Sequence, residues 1–146
     1  MDLRPIDGEI AKILGWKNIR DQLVKGSPED DSVYPIDEDN DAWDRSRAFT
    51  ELIGTPPSYV TDEVERIPHW SSTWKSGELF DWFLKNDIHV YLNSNNSGTS
   101  INLLRRGDEP FNGFPVSVLT ETPHLAIAVA FLKFHGVEYL KLIENP

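Results

Sequence analysis

Eight carboxylates, Glu29, Asp30, Asp31, Asp37, Glu38, Asp39, Asp41 and Asp44, stand close together with no Lys or Arg among them. Carboxylates at alternate positions can wrap a hard cation, and Asp37, Asp39 and Asp41 imitate the first three ligand positions of a calcium loop. The imitation stops where the geometry is strictest. The residue that should be Gly for the sharp turn is Ala42, and the bidentate Glu at the end of such a loop is replaced by Ala48. Capping and compensation of a helix dipole is the simpler use. The same side chains can instead form a partner-facing surface, because dense negative charge on a rigid element engages a basic groove. On that reading Asp30, Asp31, Asp37, Glu38, Asp39 and Asp41 are the partner-binding residues. No two of them can be chosen for general acid and base work, since nothing in the sequence says which pair converges or loses its water.

A second constellation is Arg105-Arg106-Gly107. Guanidinium forks match phosphate oxygens, and a turn beside them offers backbone N–H groups. Trp70, Trp74 and Trp82 could stack on a base. Arg105, Arg106, Trp70 and Trp74 therefore form an alternative site for a small nucleotide, against the plainer view that such arginines are solvated and such tryptophans are core. His69, His89, His124 and His135 contain no pair at the i, i+4 spacing of a helical metal site. Ser71 and Ser72 lack the Gly-flanked elbow of a hydrolase, and no Gly-rich phosphate loop is present. With no Cys, thiol catalysis and thiolate metal sites are excluded. We assign no catalytic residue, no metal and no cofactor.

These residues sit in a chain of 146 residues, which is expected to form a single domain, 1–146, around one core. Its 14 Lys and Arg against 24 Asp and Glu leave a formal charge of −10, the wrong sign for holding a phosphate backbone directly. A partner protein with a basic surface suits it better. Five Trp and seven Phe argue against a disordered acidic tail. The start of the chain lacks the basic and apolar pattern of a signal peptide, and no stretch has membrane-spanning length. A soluble, cytoplasmic protein without a membrane partner is expected.

The positioning elements are read from periodicity. Residues 123–135 form a nearly all-apolar helix, capped by Thr122, opened by Pro123 and stopped by Gly136. Ile6, Ile10, Ile13 and Leu14 mark an earlier helix that ends at Gly15 with Trp16 folded back. Residues 16–21 can run extended, followed by a turn at 25–28. Ala42, Phe49, Leu52 and Ile53 fit one helical stripe up to Gly54, with Asp39 or Asn40 as its cap. Residues 59–76 read as a loop with one short element, and Ser76 as the cap of a helix over 77–86. Residues 88–93 and 99–105 alternate as a hairpin joined by a loop of more than two residues, and 114–119 offer a third strand. The fold class is α+β, with an antiparallel sheet sandwiched by helices and a buried C-terminal helix.

Three pieces carry a family likeness: Ile10-Ala-Lys-Ile-Leu-Gly-Trp16, Tyr34-Pro-Ile-Asp-Glu-Asp-Asn-Asp-Ala-Trp43 and Thr120-Glu-Thr-Pro-His-Leu-Ala-Ile-Ala-Val-Ala-Phe-Leu132. With the hairpin between them, the chain resembles the phage ABA sandwich domain proteins, small proteins of phages and prophages that mostly lack an assigned activity. The resemblance implies a sheet between helices and a viral or prophage origin, and it transfers no functional residue. Residues 59–74 depart from the family's compact pattern. The expected function is that of a small acidic phage-type accessory protein that binds a host protein stoichiometrically, such as a defence or nucleic-acid-handling component. The alternatives are a sponge for a signalling nucleotide and a small enzyme with a carboxylate site.

Overall fold

The computed structural model describes residues 2–26, 33–37, 42–107, 116–140 and 142. The chain is α+β and divides into two compact units, Ala11–Pro68 on one side and Met1–Ile10 with His69–Pro146 on the other. Helix α1 (Arg4–Ile13) starts in the latter and ends in the former. Its end follows from local chemistry: Gly15 takes φ +95°, Gly15 N–H bonds Lys12 O at 3.2 Å and Trp16 N–H bonds Ala11 O at 3.0 Å. These two bonds are those of a Schellman stop.

The Ala11–Pro68 unit holds strands β1 (Lys17–Lys25), β2 (Tyr34–Pro35), β3 (Phe49–Thr55) and β4 (Glu65–Arg66), with the short helix α2 (Ala42–Ser46). They form an antiparallel sheet of order β2-β1-β3-β4 over a small core of Val24, Val33 and Ile53, against which Phe49 and Val64 pack. The expected helix over residues 42–53 is corrected here. Only Ala42–Ser46 is helical, and Phe49, Leu52 and Ile53 belong to a strand paired on both sides, Leu52 with Asp21, and Ile53 with Arg20 and Arg66. Three apolar residues in five positions suit either period, and β-branched Thr50, Ile53 and Thr55 favour the strand once two neighbours take up its backbone groups. The caps expected at Asp39 or Asn40 lie outside the described residues.

The other unit is built on strands β5 (Ile88–Asn95), β6 (Gly98–Arg105) and β7 (Val116–Thr120), antiparallel in that order. Helix α4 (Pro123–Phe134) packs on β6 and β7, and α3 (Gly77–Lys85) on β5. Ala126 to Leu132 are all buried in α4. Its ends are as expected. Thr122 accepts from Leu125 N–H at 3.2 Å, Gly136 takes φ +80°, and Gly136 N–H and Val137 N–H bond Lys133 O and Leu132 O, each at 3.0 Å. Ile101, Leu103, Val116 and Val118 form the buried side of the sheet.

Two expectations need correction. The hairpin turns in two residues, Asn96 and Ser97, since pairing continues to Asn95 opposite Gly98. A hydroxyl contact of 2.8 Å between Ser94 and Thr99 extends the ladder, and Asn95 Oδ1 accepts from Ser97 N–H at 2.7 Å. Nor does Ser76 cap α3 through its side chain. A single 3-10 turn, Trp74–Ser76, precedes α3, and the capping side chain is that of Thr73, which accepts from Lys75 N–H. Ser76 Oγ instead bonds His124 Nδ1 at 3.2 Å, tying the starts of α3 and α4.

Candidate functional site

The sequence-named arginines converge with aromatic rings where α3 turns into β5. Residues Asn86 and Asp87 make that turn, Asp87 in the left-handed region at φ +57°. Asp87 O accepts from Arg106 N–H at 3.2 Å, and Ile88 pairs with Arg105. The end of β6 is thereby clamped beside the end of α3. Trp82, Asn86, Asp87, Ile88, Arg105, Arg106 and Phe134 line a hollow there of about 280 Å³.

One wall is rigid. Trp82 is half-buried and meets Phe131 at 5.1 Å and Phe134 at 5.8 Å edge-on, and His135 at 5.0 Å. Asn86 Nδ2 donates to Trp82 O at 2.8 Å, and His135 Nδ1 lies 2.8 Å from Phe131 O. Arg105 and Arg106 bring two cations to the lining, and Asp87 one carboxylate. Arg105 lies over the Phe134 ring at 4.7 Å, a contact that uses the guanidinium face while hydrogen bonding uses its N–H edge. Arg106 is 4.0 Å from Asp87, with both side chains largely exposed. An exposed pair at that separation contributes little, so a well-placed anion can take its place.

Of the nucleotide set expected from sequence, the structure brings Arg105 and Arg106 together with Trp82, not with Trp70 or Trp74. Trp70 is 1% exposed and donates its indole N–H to Glu78 at 3.0 Å, so it offers no open face. Trp74 is 81% exposed and stands edge-on to His124 at 4.3 Å. Phe134, Asn86 and Asp87 carried no signal in the sequence beyond lying at element ends. Of the partner-binding set, Asp37 is exposed. Asp30, Asp31, Glu38, Asp39 and Asp41 lie outside the described residues, as do Glu29 and the side chain of Asp44, and the calcium-like spacing falls mostly there.

Buried polar groups elsewhere do structural work. Asp7 is fully buried, accepts from Ser71 N–H at 2.9 Å and pairs with Arg4 at 2.9 Å. Loss of water raises its pKa above the usual carboxylate value, and the bonds from Ser71 and Arg4 oppose that rise. Among the described residues no group of three or more His, Asp or Glu is placed to hold a metal ion, and no helix is long and apolar enough to cross a membrane. Comparison of the chain with protein-family models, curated proteins and solved structures gave no match.

Proposed function

We propose that this protein acts by occupancy, and that the hollow at Arg105 and Arg106 holds a small anion bearing a flat ring, such as a signalling mononucleotide. The observation that carries this reading is the meeting of two consecutive arginines with the fixed Trp82 wall in one hollow. Guanidinium edges suit phosphate oxygens, and an indole accepts any base because every base has a π-face. The charge of −10 disfavours a long polyanion at the same place. Sequestering a host nucleotide in the cytoplasm is also the kind of task a viral accessory protein performs, in keeping with the phage resemblance. Protein purified from cells and then heated should release a nucleotide detectable by mass spectrometry. Rebinding of that nucleotide should weaken about tenfold in Arg106→Ala, the loss expected for one charge-assisted bond. An empty protein that also ignores a nucleotide panel at millimolar concentration would end this reading.

A second reading rests on the eight clustered carboxylates: a surface that captures a basic host protein, such as a defence component, as an anti-defence factor. Its test is charge reversal at Asp37, Glu38, Asp39 and Asp41. If capture of a defined basic partner survived reversal at normal strength, the acidic stretch is not the contact.

A further inference from the structure

We propose that β5 is an assembly edge, and that a second copy of this chain adds its own β5 there, antiparallel, about a two-fold axis at Leu92. Such pairing stands whether or not the hollow at Arg105 and Arg106 holds a nucleotide. In its three-stranded sheet β5 is an outer strand, paired with β6 on one side alone among the described residues. The bond from Arg106 N–H to Asp87 O at 3.2 Å fixes which backbone groups are spent, because antiparallel ladders alternate. His89, Tyr91, Asn93 and Asn95 turn theirs toward β6, so Ile88, Val90, Leu92 and Ser94 turn theirs outward. The 2.8 Å contact between the Ser94 and Thr99 hydroxyls agrees, since side chains approach most closely at pairs without ladder bonds. None of the outward backbone groups has a hydrogen-bond partner among the described residues.

The other sheet edges carry features that discourage pairing. Strands β2 and β4 are two residues long, one containing Pro35 and the other Glu65 and Arg66. On β7, Ser117 O already accepts from Lys133 Nζ at 3.0 Å. Short strands, proline, charge and an edge lysine are the usual means by which a sheet avoids edge-to-edge association. Strand β5 has none of them. It runs for eight residues without a Pro or an Asp, Glu, Lys or Arg, and its register with β6 is unbroken from Ile88 opposite Arg105 to Asn95 opposite Gly98. From Tyr91 to Asn95 every residue is exposed, and since neighbours on a strand point to opposite faces, neither face of that stretch is sealed.

A copy of the same strand is the occupant that fits. With the axis at Leu92, Leu92 meets its own counterpart, Val90 meets the other copy's Ser94, and Tyr91 meets the other copy's Asn93. Outward backbone groups then face outward groups, which gives Val90, Leu92 and Ser94 of both copies their missing ladder bonds. Opposite residues share a face, so Leu92, 43% exposed in the single chain, packs against its counterpart. Charge points to the same strand. A chain of formal charge −10 repels its own copy at long range, whereas Val90 to Asn95 bring no ionised side chain to the contact. One strand pair buries less than a standard interface, so the dimer is expected to be weak and reversible.

Sedimentation velocity of the full chain from about 5 to 500 µM tests the pairing, the range in which so small a contact is expected to show. The protein should pass from monomer to dimer without larger species, because a two-fold contact closes on itself. Leu92→Lys sets like charges opposite each other on the axis and should weaken the dimer at least about tenfold. Leu119→Lys, at an exposed position of β7, should leave it unchanged. The chain has no Cys, so Leu92→Cys introduces a lone thiol. Across a hydrogen-bonded pair the Cα atoms stand about 5.5 Å apart, within the span of a disulfide. Under mild oxidation Leu92→Cys should therefore cross-link faster than Ser117→Cys, which is exposed on β7. A monomer at the highest concentration, a dimer as strong in Leu92→Lys as in wild type, or equal cross-linking of the two thiols would each overturn the assignment.

Discussion

Replacing Asp7 tests whether a buried carboxylate organises the start of the chain within its unit. Its oxygens take the Ser71 N–H and the Arg4 guanidinium, each at 2.9 Å, and its side chain is fully buried while that of Arg4 is 19% exposed. Asp7→Ala leaves a buried N–H without an acceptor, a loss of about 1–3 kcal/mol. It also removes one charged contact of Arg4, a loss reduced by the water Arg4 still reaches, so the sum is about 3 kcal/mol. At about 2–4 °C per kcal/mol for a chain of this size, the melting temperature should fall by roughly 6–12 °C. Asp7→Asn keeps an acceptor and should lose about 1 kcal/mol. The pH dependence has a defined sign. Burial raises the folded pKa of Asp7, so the folded state binds the proton more readily than the unfolded state does. The contribution of Asp7 is therefore full below the unfolded pKa near 3.8 and declines as pH rises through the folded value. Urea unfolding of wild type and Asp7→Asn between about pH 4 and 7 isolates it, since every other group titrates in both proteins. A wild-type advantage over Asp7→Asn that grew with pH, or an Asp7→Ala protein within about 0.5 kcal/mol of wild type, would refute the reasoning.

Three further expectations concern turns, caps and the contact between two helix starts, alongside the ligand experiment on Arg106. A Cβ at Gly98 would lie 2.8 Å from Thr120 O with φ at +133°, whereas one at Gly107, φ +93°, meets nothing within 4 Å. Gly107→Ala should cost about 1 kcal/mol and Gly98→Ala at least twice that by urea unfolding, and equal losses would contradict the geometry. Thr122→Ala should cost about 1 kcal/mol through its lost cap and Thr122→Asp almost nothing. Ser76 acts through His124 instead, so a double-mutant cycle with Ser76→Ala and His124→Ala should show coupling of about 0.5–1 kcal/mol, and strictly additive losses would argue against the contact.

Where a few neighbouring residues decide the outcome, sequence was sufficient. Thr122, Pro123 and Gly136 bound α4, and Gly15 with Trp16 ends α1, because caps and left-handed stops are satisfied within one turn of backbone. The period-two hairpin and the α+β class were legible for the same reason, and so was the Arg105–Arg106 pair at a strand end. Tertiary structure decided what depends on distant partners. Phe49, Leu52 and Ile53 became a strand because β1 and β4 flank them. Trp82 rather than Trp70 became the wall beside the arginines because α3 and α4 set its ring among Phe131, Phe134 and His135, while Trp70 sank to 1% exposure. Tyr34 and Trp43 stayed in water although their residue types favour burial. Local hydrogen bonding follows from adjacent residue types, but which side chain loses its water is settled only when segments far apart in the chain pack together.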